Sequence, residues 1–316
     1  MMKVVAVTVT YNDAEYLKKC VKALLEQTTS VYKIIIVDNN SNEQNKSEIK
    51  SFYDYDKIDI LELNENLGGA GGFERGVEYA KKYNPDWFWI MDADAYPTPE
   101  CLDKMLVHIK DRPNIGYLAP LIFGVDLQQY QLYHHKSVAK YLERDIPLYE
   151  NYEQIPSVSN IVADAFVGPL FSKEAVDSCG LPDGQLFIYG DDLEYTYRIT
   201  RKFDALLIRD AIINHRDQPN AQGVQQPKNW WKDYYMFRNR LLFIDKYQDK
   251  NIDRIIGHFL VWLRIFKQKL LCKKNIKDKR LKKVRLNILD KAYKDGINGI
   301  SGKSVDPAVF VKLITG

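Results

Sequence analysis

The feature that most constrains the fold is an apolar run, Trp87 to Met91, which is followed directly by Asp92-Ala93-Asp94. A continuous apolar run of this length is typical of a strand buried on both faces. Thr98, Pro99 and Glu100 then supply an N-cap, a proline at the first helical position and an acidic first turn, which together predict a helix start. Two carboxylates are therefore expected at the carboxyl end of a central strand, where open α/β sheets bind ligands. An ordinary acidic turn would also explain them. The flanking elements favour a divalent cation site, because hard cations take carboxylate oxygens and can bridge to phosphates.

Strands and helices alternate at short spacing through the first hundred residues. This alternation predicts an α/β fold with a mostly parallel, doubly wound sheet flanked by helices. The predicted strands are Lys3 to Thr10, Lys33 to Val37, Asp59 to Leu63 and Trp87 to Met91, and the predicted helices are Ala14 to Gln27 and a glycine-led helix ending at Lys82.

The pattern becomes less regular after Arg112. A long polar, tyrosine-rich segment, Val125 to Val158, is interpreted as a substrate-facing insertion or a mobile loop. The other elements expected in this half are strands over Gly116 to Leu121, Asn160 to Phe166 and Ala205 to Ile208, a helix ending at Arg201, and a helical pattern from Trp230 to about Ala292.

Composition describes a soluble globular protein, with 46% hydrophobic and 28% charged residues. The four cysteines are far apart and form no CxxC pair, so we expect reduced, mostly structural thiols in a cytosolic protein. The chain starts in its first strand without the layout of a signal peptide, and no apolar run approaches the length of a transmembrane helix.

Charge is distributed unevenly along the chain. Between Arg264 and Arg285 there are eleven Lys and Arg residues against one acid, Asp278, and the rest of the chain has 34 basic and 41 acidic side chains, a net of −7. Apolar residues at helical spacing lie in and before this basic segment, at Ile255, Phe259, Leu263, Phe266 and Leu270. The pattern predicts an interfacial helix on an anionic membrane surface. The alternative is a helical face packed on the rest of the protein. A nucleic-acid partner is not expected, because the body is acidic and no nucleic-acid motif is present.

A glycine-rich segment, Asn66 to Phe73, opens a predicted helix. It has no Gly-x-Gly-x-x-Gly register, so the dinucleotide-binding interpretation fails on spacing. Gly302-Lys303-Ser304 resembles the end of a phosphate loop, but the leading glycine is replaced by Ile297. What Asn66 to Phe73 offers is backbone amides that a ligand can approach at a helix start.

Other polar residues lie at strand ends or helix starts. Asp38 follows a strand and suits either a nucleotide contact or a turn cap. Asp191, Asp192 and Glu194 form an acidic segment that can supply a general base, or alternatively an acidic first turn that the helix dipole favours. His215 follows an apolar stretch and is a candidate third metal ligand, although a lone histidine is often structural.

These motifs occur in an order that resembles the inverting family 2 glycosyltransferases of the GT-A fold. The resemblance covers roughly residues 3 to 245, and the segment around Gly68 and Gly69 is most similar to bacterial galactofuranosyltransferases. Its matching pieces are Val7 to Asn12, Val37 to Ser41, Asn66 to Gly69, Asp92 to Asp94, Gly190 to Asp192, Asn214-His215 and the helix Tyr234 to Arg240.

The resemblance implies a role for each matching residue. Thr8, Tyr11 and Asp38 would line the base and ribose of a nucleotide-sugar, and Asn66, Gly68, Gly69 and Arg75 would shape the diphosphate and sugar pocket. Asp92 and Asp94 would hold Mg²⁺ or Mn²⁺ against the diphosphate, with His215 completing the metal site. Asp192 would be the catalytic base, and its neighbour Asp191 remains the alternative.

The implied function is transfer of a sugar, best matched by galactofuranose from UDP-galactofuranose, onto a saccharide or lipid-linked saccharide in bacterial surface polysaccharide synthesis. Residues 1–216 would form the catalytic domain and 217–316 a helical region with the membrane-associating segment, which places the enzyme at the inner face of the cell membrane. The alternatives are a rhamnosyltransferase using dTDP-rhamnose, a sugar-phosphate nucleotidyltransferase, and an inactive nucleotide-sugar-binding protein. Whether the chain forms a homo-oligomer is left open by the sequence.

Overall fold

The computed structural model describes residues 2–110, 112–216 and 226–315. The first seven elements alternate between strand and helix; all of them were predicted except the second helix. They are β1 (Val4–Thr10), α1 (Ala14–Leu25), β2 (Lys33–Asp38), α2 (Glu43–Lys50), β3 (Ile58–Glu62), α3 (Gly68–Ala80) and β4 (Trp87–Asp92).

The remaining elements alternate less regularly until the carboxy-terminal helices begin. They are β5 (Ala95–Pro97), α4 (Cys101–Leu106), β6 (Ile115–Gly124), β7 (Gln129–Tyr130), β8 (Lys136–Val138), β9 (Asp145–Pro147), β10 (Val158–Asn160), β11 (Val167–Ser172), α5 (Lys173–Cys179), α6 (Asp191–Thr200), β12 (Asp204–His215), α7 (Trp230–Tyr247), α8 (Asn251–Asn275), α9 (Lys279–Ile297) and α10 (Pro307–Thr315).

The described chain divides into two compact units. The first unit comprises the described residues within 1–137, 147–184 and 192–217, and the second comprises those within 138–146, 185–191 and 218–316. The first unit contains a sheet in the order β10-β12-β6-β11-β4-β1-β2-β3, with β5 on β12 and β7 on β6. Strands β3, β2, β1 and β4 are parallel, and β11 runs antiparallel between β4 and β6. The mixed, mostly parallel sheet flanked by helices confirms the predicted fold class.

Strand β4 is buried on both faces, as its apolar run predicts. Trp87, Trp89 and Met91 belong to one apolar cluster, which also contains residues of α1 and α4, whereas Phe88 and Ile90 belong to the cluster on the other side of the sheet. On that second side α3 lies very close to the strands. A Cβ atom on Gly76 would lie 2.5 Å from a methyl of Val7, and one on Gly72 would lie 2.5 Å from a methyl of Val9. These two glycines therefore allow close packing of α3 on β1.

Several boundaries differ from the prediction. Thr98 is not an N-cap: its hydroxyl donates to the carbonyl of Ile212 at 3.1 Å, and α4 begins three residues later, at Cys101. The strand predicted over Asn160 to Phe166 is not formed. Residues 161–166 lie instead in the irregular connection between β10 and β11. The short strand predicted at Ala205 continues to His215. The helical pattern after Trp230 is divided among three helices, which break at residues 248–250 and 276–278.

The second unit is built on packing among α7, α8 and α9. One face of α7 is buried, at Tyr234, Phe237, Leu241 and Ile244. Arg285 of α9 forms a buried ion pair with Asp233 of α7. The cysteines are free thiols, and Cys20, Cys101 and Cys272 are buried. Within the described ranges, no helix has both the length and the apolar character that crossing a bilayer requires.

Candidate active site

The carboxyl ends of three parallel strands meet at one edge of the sheet. Thr10 of β1 pairs in register with Asp38 of β2, and Val9 pairs with Asp92 of β4. Asp38 and Asp92 are therefore held on either side of the end of β1. This is the edge at which parallel sheets bind ligands.

A three-residue strand joins the acidic turn to a distant part of the chain. Strand β5 starts one residue after Asp94 and pairs antiparallel with the end of β12, with Ala95 opposite His215. Nε2 of His215 consequently lies 3.4 Å from Oδ1 of Asp94. One ligand atom each from Asp92, Asp94 and His215 falls within 4.8 Å of the others. Two carboxylates and an imidazole are a suitable donor set for Mn²⁺ or Mg²⁺, so these residues could hold the predicted metal.

Gln131 orients the histidine, and sequence reasoning missed it. Its Oε1 accepts a hydrogen bond from Nδ1 of His215 at 2.9 Å and another from Nε2 of His134 at 3.0 Å. Because Nδ1 of His215 donates its proton to Gln131, the lone pair of Nε2 is directed towards Asp94. Burial, to which the nearby ammonium group of Lys136 adds, holds the pKa of His134 well below its usual value, so His134 stays neutral near pH 7.

The same short segment also contacts the predicted base. Nζ of Lys136, five residues after Gln131, lies 3.6 Å from Oδ2 of Asp192. Asp192 keeps about a quarter of its side chain exposed, and its Oδ1 accepts from the backbone of Leu193. Residues 131–136 therefore contact both the candidate metal cluster and the candidate base within the first unit. Two histidines and a lysine were the available signal in the sequence, but the whole segment was interpreted as a substrate-facing insertion or a mobile loop.

A buried pair anchors this segment to α6. Nδ1 of His135 lies 3.0 Å from Oδ1 of Asp164, and both side chains are almost fully buried. The backbone amide of Asp164 donates to Oγ1 of Thr196, which in turn donates to the carbonyl of Asp192. Burial raises the pKa of Asp164, although the nearby His135 opposes the shift. Two sets of contacts thus connect the start of α6 to residues 131–136. One runs from His135 through Asp164 and Thr196, and the other is the ion pair between Lys136 and Asp192.

Side chains also join the loops after β1 and β2. The amide of Asn12 donates to Ser41 at 2.9 Å, and the amide of Asn42 donates to Asn12 at 2.7 Å. Asp38 uses Oδ1 to accept from the amide of Ser41 at 2.9 Å, which is the predicted turn cap. Its Oδ2 is buried and has no hydrogen-bond partner among the described residues. A buried carboxylate oxygen without a donor is costly, so Asp38 retains an acceptor for a ligand hydroxyl or N–H.

The glycine-rich segment is also fixed by an asparagine. The side chain of Asn39 accepts from the amide of Leu67 and donates to the carbonyl of Gly68, and Asn66 accepts from the amide of Gly68 at 2.8 Å. Gly68 has a φ of 74°, a left-handed conformation that suits glycine, and Gly69 follows it in the first turn of α3.

The other residues predicted to contact the nucleotide-sugar differ in their exposure to solvent. Tyr11 is half-exposed at the end of β1. Thr8 is completely buried beside Cys20, an environment that argues against direct contact with a ligand. Arg75 is half-exposed and pairs with Glu78 on the same helix, at 2.9 Å.

The two neighbouring aspartates differ in their surroundings. Asp191 is buried to 7% exposure, whereas Asp192 is partly exposed and contacts Lys136. Glu194, the third acid of the segment, forms an ion pair with Arg198 at 2.9 Å and stabilises α6.

Comparison with known proteins identifies relatives by sequence and by structure. Galactofuranosyltransferase GlfT1 of Mycolicibacterium smegmatis is 28% identical over 259 residues, covering 75% of this chain and 81% of that protein. The dTDP-rhamnosyl transferase RfbF of Shigella flexneri is 26% identical over 194 residues, covering 61% and 62%. The crystal structure of GalNAc-T7 with UDP, GalNAc and Mn²⁺ superposes with a TM-score of 0.60 at 16% identity, which shows a shared GT-A fold. It covers 95% of this chain, and the chain spans 56% of the length of GalNAc-T7.

The family model for glycosyl transferase family 2 matches residues 5–169, more than half of the chain. That range contains β1 to β4, the aspartates of the acidic turn and the segment from Gln131 to Lys136. The chain is a glycosyltransferase and belongs to glycosyl transferase family 2.

Proposed function

We propose that this glycosyltransferase is an inverting enzyme that moves galactofuranose from UDP-galactofuranose onto a saccharide or lipid-linked saccharide in bacterial surface polysaccharide synthesis. The observation that carries the proposal is the combination, in one compact unit, of the cluster Asp92, Asp94 and His215 with the partly exposed Asp192. The choice of galactofuranose rests on the segment Asn66 to Phe73 and on the similarity to GlfT1.

The donor would lie along the carboxyl edge of β1, β2 and β4. Asp38 has a buried oxygen available for the nucleoside, and Tyr11 is exposed beside it. Asp92, Asp94 and His215 would hold Mn²⁺ or Mg²⁺, which when bound neutralises the diphosphate leaving group. Gln131 keeps the imidazole of His215 in the tautomer whose Nε2 faces the carboxylates.

Asp192 would serve as the general base. An acceptor hydroxyl must lose its proton as it attacks the anomeric carbon, and a carboxylate within hydrogen-bond reach accepts it. Asp192 retains exposed surface, and the ammonium group of Lys136 keeps its carboxylate oriented. Attack from the face opposite the nucleotide in a single displacement inverts the anomeric configuration.

A panel of nucleotide-sugars tests the donor. We expect metal-dependent hydrolysis of UDP-galactofuranose, and an increase in melting temperature when UDP and Mn²⁺ are present together. Transfer from dTDP-rhamnose alone would favour the second candidate, which the similarity to RfbF supports, while leaving the family assignment intact. Full activity in the presence of EDTA would contradict the proposed metal site.

The exposed face of α8 supports attachment to an anionic membrane. Phe259, Trp262 and Phe266 form a ladder of near-parallel rings, with centroids 5.8 and 5.3 Å apart, and each is more than a third exposed. The opposite side of α8 is buried through Gly257, Val261, Ile265 and Cys272. The exposed basic residues between Arg264 and Lys283 are Arg264, Lys267, Lys273, Lys274, Lys277, Lys279, Arg280 and Lys283. An apolar face with a basic border suits the surface of an anionic bilayer, where a lipid-linked acceptor would also lie.

A further inference from the structure

The loop that leads into Asp191 has an unusual backbone. Phe187 and Tyr189 have φ values of 67° and 63°, and Gly190 follows at 86°. Bulky residues seldom adopt this left-handed conformation, because their Cβ atom crowds the backbone. Such strain persists only where the surrounding structure determines it, and it is concentrated at functional sites.

One side chain of α7 holds this backbone in place. The carboxamide nitrogen of Asn239 donates to the carbonyls of Leu186 at 2.9 Å, Ile188 at 2.9 Å and Tyr189 at 2.6 Å. Three carbonyl dipoles pointing at one position repel each other unless a donor lies between them. Asn239 is 3% exposed, and its Oδ1 has no hydrogen-bond partner within the described ranges. Burying Oδ1 without a donor costs free energy, so it is the hydrogen bonds of the nitrogen that stabilise Asn239 at this buried position.

Arg238 fixes the same loop from an adjacent position on α7. Its Nη2 donates to the carbonyl of Leu186 at 3.1 Å, and its Nη1 donates to the carbonyls of Ile300 and Gly302 at 3.1 Å each. The amide of Gly302 completes the arrangement by donating to the carbonyl of Gln185 at 2.7 Å. All of these contacts lie within the second unit. The loop is thus held at both its start and its end.

We propose that Asn239, assisted by Arg238, is a positioning residue for the aspartate pair. The loop ends at Asp191, the first residue of α6, so the backbone conformation that Asn239 holds is that of the residues immediately before Asp192. The inference rests on the proposed role of Asp192. A donor side chain at the convergence of three carbonyls, rather than a relaxed loop, is what keeps the strained conformation populated before substrate binds.

The test compares Asn239→Asp with Tyr234→Phe. The first variant replaces the donor with a carboxylate facing three carbonyl oxygens. The second is a matched control on the same buried helix, since it removes one hydrogen bond, to Asp295, and does not touch the loop. Asn239→Ala is the substitute should the aspartate variant fail to fold. The measurements are donor hydrolysis, the KM for the donor, the melting temperature, and amide hydrogen exchange of the peptide covering residues 185–190.

We expect exchange of residues 185–190 to rise at least tenfold in the Asn239 variant and to remain unchanged in Tyr234→Phe. Turnover should fall about 10- to 100-fold, with the donor KM within about twofold of the wild type, because displacement of a reacting group lowers the rate more than it lowers binding. Equal losses of turnover in the two variants, or unchanged exchange in the loop, would overturn the proposal. If the wild type hydrolyses no donor, the proposed function fails, and the exchange experiment still decides whether Asn239 holds the loop.

Discussion

Replacement of Gln131 by methionine isolates its effect on the candidate metal site. Methionine matches the length of glutamine but removes the Oε1 atom that accepts from His215 at 2.9 Å and from His134 at 3.0 Å. The neutral imidazole of His215 is then free to carry its proton on Nε2, and this tautomer cannot bind a cation through that atom. Loss of a hydrogen-bonding partner behind a metal ligand typically lowers metal affinity about 10- to 100-fold. This corresponds to about 1.4 to 2.8 kcal/mol of binding free energy.

Isothermal titration of Mn²⁺ into the protein with UDP present measures this affinity without requiring turnover. Loss of the same Oε1 atom also removes the hydrogen-bond acceptor of Nε2–H of His134, and this should lower the free energy of unfolding by about 1–3 kcal/mol. Gln131→Glu is the control, because it keeps an acceptor oxygen behind His215 and should retain Mn²⁺ affinity. Mn²⁺ affinity of Gln131→Met within twofold of the wild type would refute the role given to Gln131.

Three further predictions concern the base, the membrane face and acid stability. Asp192→Asn should lower turnover about 100-fold or more with little change in donor affinity, whereas Asp191→Asn should lower turnover less; steady-state kinetics showing the reverse ranking would assign the base to Asp191. Phe259→Ser combined with Phe266→Ser should abolish co-sedimentation with anionic vesicles. Equal binding of the wild type to neutral vesicles would contradict the proposed attraction between the basic residues and anionic lipid. Although burial opposes it, hydrogen bonds from Lys33, Tyr83 and Lys82 lower the pKa of Asp59, so this group stabilises the fold at neutral pH and the stabilisation is lost as the pH falls below about 5. Asp59→Asn should therefore cost about 1–3 kcal/mol at pH 7 in urea unfolding, with the difference from wild type shrinking towards pH 3.

The sequence predicted the elements whose pattern is local. Strand β4 could be recognised because a continuous apolar run identifies a buried strand without knowledge of its neighbours. The position of the carboxylates at the strand end was predicted from that strand. The regular alternation from β1 to β4 likewise required only periodicity. The same local reasoning failed at Thr98, because the hydroxyl is used by Ile212, which is more than a hundred residues away in the chain.

The arrangement of the site depended on pairings that no local pattern reports. Strand β5 has three residues, too few to show a period, although it brings Ala95 opposite His215. Gln131 and Lys136 lie in a segment whose polar composition resembles an ordinary loop, and their importance appears only once their partners, His215 and Asp192, are located. The strand pairing therefore shows which of the predicted residues lie close together, and the motifs alone did not show this.

The pairing of β5 with β12 also bears on how such a chain can change over time. Residues far apart in sequence are joined at the candidate metal site by backbone hydrogen bonds, which do not depend on side-chain identity. The turn between β8 and β9, residues 139–144, takes no part in that pairing or in the contacts that Gln131 and Lys136 make with His215 and Asp192. Insertions and deletions there would reshape the neighbouring surface without altering the spacing between Asp94 and His215. The length of this turn can therefore vary without changing the backbone pairing that brings the proposed metal ligands Asp94 and His215 together.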